Sequence, residues 1–186
     1  RSLIFRACQD KFPKNEEEII EFPGDYMTVH TEYKNCPIEL QFWDLSGIDE
    51  RTMTSTSFRV DAFMVCYDVT NVESFANLQQ YIRMIQLFAN KEKTVWITVG
   101  NKIDLPNLRQ VKSSHITALM NKMPDVKHLG ASACTGRNVD LIISEISKLL
   151  FARRDQDIEQ YIEKFASKVE KIPAKKAPKR VKKRNS

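Results

Sequence analysis

The chain has 186 residues, 42% of them hydrophobic, enough for one globular domain with a real core and too few for two ordinary ones. Its apolar runs, such as Ala62 to Tyr67, fall far short of the roughly 18 residues that span a bilayer, and nothing at the N-terminus reads as a signal peptide, so a soluble protein is expected. The net charge of +5 is misleading: the last 16 residues carry eight Lys and Arg and no acid, which leaves the body at −3 and argues against a nucleic-acid-binding surface.

Residues 2–11 have the pattern of a helix, and 12–25, with Glu16, Glu17, Glu18, Glu21 and two prolines, that of a loop. Tyr26 to Tyr33 and Ile38 to Trp43 flank Lys34-Asn35-Cys36-Pro37, which predicts an antiparallel hairpin. Beyond it, short apolar runs at 62–67, 95–99 and 127–131 alternate with amphipathic segments at about 73–90, 112–123 and 137–153. Non-alternating runs suit strands covered on both faces, and strand-helix alternation implies parallel pairing. The fold class is α/β, a doubly wound and mostly parallel sheet with one antiparallel hairpin strand. Residues 1–153 form the domain. A separate amphipathic helix over 154–170 and a disordered basic tail over 171–186 follow.

Cys8, Cys36, Cys66 and Cys134 lack CxxC spacing and suit reduced thiols in a reducing compartment. His30, His115 and His128 are too dispersed for a metal site and read as surface or satisfied polar residues. Trp43 and Trp96 are expected in the core.

Ligands of open α/β sheets bind beyond the carboxyl ends of the strands, and three segments there share one pattern. Asp44-Leu45-Ser46-Gly47 closes the hairpin, Asn101-Lys102-Ile103-Asp104 follows the run at 95–99, and Ser132-Ala133-Cys134-Thr135-Gly136 precedes the last helix of the domain. They match D-x-x-G, N-K-x-D and S-A-K-T-G, with Cys134 in place of the usual Lys. Ser2 to Phe12 also looks like the helix after the phosphate loop. Over about residues 1–153 the chain therefore resembles the Ras-superfamily small GTPases, with a P-loop NTPase-like fold.

The resemblance implies GTP or GDP and Mg2+ as ligands. Asp44 would hold the magnesium ion through water, and the Gly47 N–H would meet the γ-phosphate. Asp104 would accept two hydrogen bonds from the guanine N1–H and amine, a donor pair that adenine does not present. Asn101 would steady the loops, the Lys102 stem would cover the base, the Ala133 N–H in the Ser132 to Cys134 segment would meet the guanine carbonyl, and Phe12 would pack across the ring. Between Asp104 and Ser132 lie 27 residues, too few for the Rho insert, while the hairpin wording is compatible with Rho; the subfamily stays open.

Three departures accompany the match. The G-x-x-x-x-G-K-[ST] loop and the strand before it are missing, and Arg1 occupies the position of the magnesium-binding hydroxyl. That strand belongs inside the family's sheet, between the hairpin and 62–67, where its loss orphans two rows of backbone groups. A truncated chain is expected, the alternative being a scaffold that has lost phosphate binding. Secondly, Ile48 stands where the family has the Gln that positions water, so no catalytic residue is assigned and hydrolysis should be weak or lost. Lastly, Phe22 takes the place of the Thr that senses the γ-phosphate, with Thr28 the nearest substitute.

Two readings follow: a guanine-nucleotide-binding regulatory domain, or a pseudo-GTPase acting as an interaction scaffold. Either would engage effector or regulatory proteins through residues 12–60. The tail at 171–186 offers an anionic-membrane or import-receptor contact, or only solubility, giving a cytoplasmic location with nuclear or membrane association open. No Cys lies near Ser186 to take a prenyl group.

Overall fold

The computed structural model describes residues 1–13, 26–45, 60–88 and 94–169. Two compact units are present, Arg1–Arg153 and Arg154–Ser186. In chain order the elements are α1 (Ser2–Gln9), β1 (Tyr26–Tyr33), β2 (Cys36–Trp43), β3 (Ala62–Asp68), α2 (Val72–Phe88), β4 (Val95–Asn101), α3 (Ser113–Met120), β5 (Lys127–Gly130) and α4 (Val139–Val169).

β1 and β2 pair antiparallel about a two-residue turn, with Tyr33 opposite Cys36 and Tyr26 opposite Trp43. Lys34 and Asn35 both take positive φ, 51° and 61°, the conformation of the tight hairpin turn whose twist matches the strands. β3, β4 and β5 form a separate parallel sheet in that order. Successive side chains leave a strand on opposite faces, and each face has its helices. Phe63, Val65 and Tyr67 pack with Leu78, Ile82 and Ile85 of α2 and Leu119 of α3, while Ile97 and Val99 pack with Leu3 of α1, Leu40 of β2 and Ile142 of α4. β4, central in the sheet, is buried on both faces from Ile97 to Gly100, which is why it reads as a continuous apolar run, whereas β3 buries Phe63, Val65 and Tyr67 on one face and leaves Cys66 on the other exposed. Asn71 starts α2 as its N-cap, accepting the Ser74 N–H at 3.1 Å.

Among the described residues no pairing joins β2 to β3. Expectation and structure differ here: the hairpin is a sheet of its own and not an arm of one continuous sheet. An apolar cleft lined by Leu3, Ile4, Phe42, Met64, Val139 and Ile142 lies where α1, β2, β3 and α4 meet. Its lining carries no polar group able to orient a nucleotide, so it is not the ligand site.

Two further expectations fail. Trp43 is 49% exposed, because it ends its strand opposite Tyr26 and rests on that ring at 5.0 Å with no helix over it among the described residues. Trp96 is partly buried and packs on Phe63. The helices expected at 137–153 and 154–170 are one continuous α4, since no Gly or Pro interrupts Val139 to Val169 and a change of apolar face alone does not end a helix. The histidines behave as read: His30 is exposed, His115 stacks on Phe75, and His128 meets the Tyr67 hydroxyl at 3.0 Å. All four cysteines are free thiols.

Candidate functional site

β4 ends at Asn101, and the chain turns sharply there because Lys102 adopts φ 67°. The Leu105 N–H closes the turn on the Lys102 carbonyl at 3.1 Å, holding Asp104 within it. The segment after β5 is bound to this turn. Asn101 Oδ1 accepts the Ala133 N–H at 3.0 Å, and the Ile103 N–H donates to the Ala131 carbonyl at 3.2 Å. The Asn101 side chain thus ties the end of β4 to the loop after β5.

The second loop is also closed on itself. Ser132 is fully buried; its hydroxyl accepts the Thr135 N–H at 3.0 Å and its carbonyl accepts the Gly136 N–H at 2.9 Å. Gly136 sits at φ 79°, a conformation that glycine adopts without strain. Asn138 Nδ2 then donates to the Gly130 carbonyl at 2.8 Å, joining the start of α4 to the end of β5.

Within this frame, Asp104 Oδ1 is buried and has no hydrogen-bond partner among the described residues. An unsatisfied buried acceptor costs about 1–3 kcal/mol, and such atoms are uncommon in folded proteins. A ligand donor arriving here would remove that cost. Lys102 is anchored by Asp68 at the end of β3, Nζ to Oδ2 at 2.6 Å. Burial works against the Asp68 charge, but the hydrogen bonds from Lys102 and from the Thr70 hydroxyl and N–H prevail and hold the carboxyl below its ordinary pKa. Phe12, just beyond α1, is exposed.

Sequence reasoning missed two residues of this corner. Asp68 carried a signal, as a carboxylate at the carboxyl end of an apolar run. Arg6 carried less: it lies three residues after Leu3 and one before Ala7 on a helix whose other inward residues are apolar. Its Nε donates to the Ala133 carbonyl at 2.8 Å and Nη2 to the Cys134 carbonyl at 2.6 Å.

The other corner is built around Asp44, at the end of β2. Arg1 forms an ion pair with Asp44 through Nε and Oδ2. Magnesium prefers compact octahedral oxygen donors, and a guanidinium is no donor. Among the described residues no group of three or more His, Cys, Asp or Glu could hold a metal ion. In this structure Asp44, which the resemblance assigns to magnesium through water, is engaged by Arg1. Gly47 and Ile48, and the switch position at Phe22, lie outside the described residues; Thr28 is within β1.

Two loops after parallel strands, cross-tied by Asn101 and enclosing the partnerless Oδ1 of Asp104, carry the N-K-x-D and S-A-x-T-G segments, and the family model for Ras matches residues 1–152. The chain belongs to the Ras family. Its relatives are Rab-like. It is 28% identical over 169 residues to the Ras-related protein Rab-27B of Bos taurus, spanning 86% of this chain and 77% of that protein. It is 33% identical over 150 residues to the Ras-related protein SEC4 of Candida albicans, spanning 80% and 70%. Against the human Ras-related protein Rab-30 it is 29% identical over 157 residues, spanning 83% and 75%. The chain is thus a Ras-family small GTPase domain of Rab-like sequence, a family that in general binds GTP or GDP with Mg2+. Among the described residues no helix is long and apolar enough to cross a membrane.

Proposed function

We propose that this chain is a guanine-nucleotide-binding regulatory domain with weak or lost GTP hydrolysis, in which base recognition is retained and the phosphate and metal side is altered. The observation that carries this reading is the buried, partnerless Oδ1 of Asp104, set between loops that Asn101 locks together. Guanine N1–H and its exocyclic amine are two adjacent donors of the kind such a carboxylate accepts. Phe12 and the Lys102 stem supply apolar cover for the ring, and the Ser132 to Cys134 segment supplies its rim. Effector or regulatory proteins would bind through residues 12–60, and the basic tail at 171–186 would meet an anionic membrane or an import receptor.

The second reading, a pseudo-GTPase scaffold, is favoured by one observation: Arg1 already neutralises Asp44. Magnesium, when bound to a family member, neutralises the phosphates. Here Asp44 serves an ion pair, and Ile48 offers no hydrogen bond to water.

Replacing Asp104 by Asn separates the readings. It exchanges one acceptor oxygen for a donor amide, and the loss of a charged hydrogen bond costs about 1–3 kcal/mol. Competition between guanine and xanthine nucleotides should show preference moving from guanine to xanthine, whose second carbonyl matches the new donor. Unchanged guanine preference in the variant removes Asp104 from base recognition and leaves the scaffold reading.

A further inference from the structure

Backbone accounting in the Ser132 to Gly136 loop leaves one donor over. The Ala133 N–H, which the resemblance aims at the guanine carbonyl, is already given to Asn101 Oδ1 at 3.0 Å. The Thr135 N–H is given to Ser132 Oγ, the Gly136 N–H to the Ser132 carbonyl and the Ser132 N–H to the Arg137 carbonyl. Only the Cys134 N–H makes no hydrogen bond among the described residues. Arg6 fixes its direction: the guanidinium takes the Ala133 carbonyl through Nε at 2.8 Å and the Cys134 carbonyl through Nη2 at 2.6 Å. In a trans peptide the N–H points opposite to the C=O, so holding the Ala133 carbonyl toward α1 turns the Cys134 N–H away from it. The same guanidinium caps α1 through Nη1 to the Asp10 carbonyl at 2.9 Å. All three of its nitrogens are engaged, and the planar fork cannot pivot without losing several bonds.

We propose that Arg6 is a positioning residue of the base site: it draws two loop carbonyls away from the purine and presents the Cys134 N–H as the donor to the base's 6-carbonyl. The inference rests on the guanine reading and deepens it. Without Arg6 the Ala133 and Cys134 carbonyls are free to turn toward the ligand, placing acceptors against an acceptor. Arg6 is thus a determinant of specificity for an oxo group at position 6, distinct from Asp104, which reads the N1 and 2-amino edge.

Three nucleotides separate these contacts. Relative to GMP, 6-thio-GMP keeps N1–H and the 2-amine but replaces the 6-oxygen by a weak acceptor, whereas IMP keeps the 6-oxygen and loses the 2-amine. Titrating the isotope-labelled 186-residue chain with each, and following the Cys134 amide by NMR, should show GMP about fivefold tighter than 6-thio-GMP, with the Cys134 resonance moving most with GMP. Arg6→Gln should bring the GMP to 6-thio-GMP ratio close to one and leave the GMP to IMP ratio unchanged. Arg6→Lys, whose single ammonium holds one carbonyl, should fall between and covers the case in which the Gln variant does not fold. If Arg6→Gln weakens all three ligands alike, or keeps the thio discrimination, Arg6 is structural only and the proposal is overturned. Asp104→Asn is the control: it should collapse the GMP to IMP ratio and spare the thio ratio. A wild-type chain that does not distinguish GMP from IMP overturns the guanine reading itself.

Discussion

The corner built by the ends of β4 and β5 and the corner around Arg1 and Asp44 are held in different ways. In the first, the Asn101 to Ala133 bond, the buried Ser132 hydroxyl and the Arg6 fork satisfy most polar groups, and what is left over among the described residues is one carboxylate oxygen of Asp104 and the Cys134 N–H. In the second, a carboxylate that could serve a metal is paired with a half-exposed guanidinium. The first corner is preorganised and short of a ligand donor. The second supplies its own cation. The two corners stand on different strands, β2 for one and β4 with β5 for the other, and α1 reaches both, with Arg1 at its start and Arg6 within it.

The sharpest way to break this contrast is to ask what the triphosphate adds. Tight GTP binding needs oriented N–H groups, a lysine and a held magnesium ion, and Arg1 competes for Asp44. The 186-residue chain should therefore bind GTP far more weakly than an intact family member, with little change when EDTA is added. Isothermal titration showing tight, magnesium-dependent GTP binding by this same chain would refute the division into two corners.

How much of each corner was legible follows from the same difference. N-K-x-D and S-A-x-T-G lie immediately after strands, so residue type and position drew attention to Asn101 and Asp104 from the sequence. Arg6 was not legible: its partners lie 127 and 128 residues away, and nothing local distinguishes a clamp from a solvated helix residue. The pairing of Ala133 with Asn101 was hidden for the same reason, since one N–H has two plausible acceptors until both loops are placed. Trp43 misled because aromatic residues at strand ends are buried only if another element covers them. The continuous α4 shows that a change of apolar stripe does not by itself end a helix, whereas Gly, Pro or a cap does.

A stability comparison sharpens the contrast. An added Cβ at Gly100, the residue before Asn101, would lie 2.7 Å from Tyr67 Oη and 2.8 Å from its Cζ. The ring cannot retreat freely, since Tyr67 is buried against Phe75 and its hydroxyl is held by His128. Gly100→Ala should cost about 1–3 kcal/mol as overpacking, read as a lower midpoint in urea unfolding. Arg1→Ala, which removes a partly exposed ion pair, should cost less than about 1 kcal/mol. Equal effects of the two substitutions would mean that the base corner is no more rigid than the phosphate corner.

The smallest expected effect concerns hydrolysis, in a chain carrying residues upstream of Arg1 that supply a phosphate loop. The Ile48 side chain offers no hydrogen bond to an attacking water, and Asp49 and Glu50 follow it in the sequence, charges that would work against a phosphoryl-transfer transition state if brought near it. Arg51 would offset part of that charge only if aimed at the phosphate. Restoring a hydrogen-bonding side chain by Ile48→Gln returns one component of the apparatus, while the γ-phosphate-sensing position remains Phe22, with Thr28 committed to β1. Single-turnover GTP hydrolysis should therefore rise by no more than about tenfold, equivalent to ~1.4 kcal/mol of barrier. A larger rise would mean that the sensing function survives in another residue, and that the phosphate corner is one substitution from competence. Fast hydrolysis by the Ile48 form with no activating partner would go further: another side chain would then position the water, and the separation of an intact base corner from an altered phosphate corner would fail on the side where it rests on sequence alone.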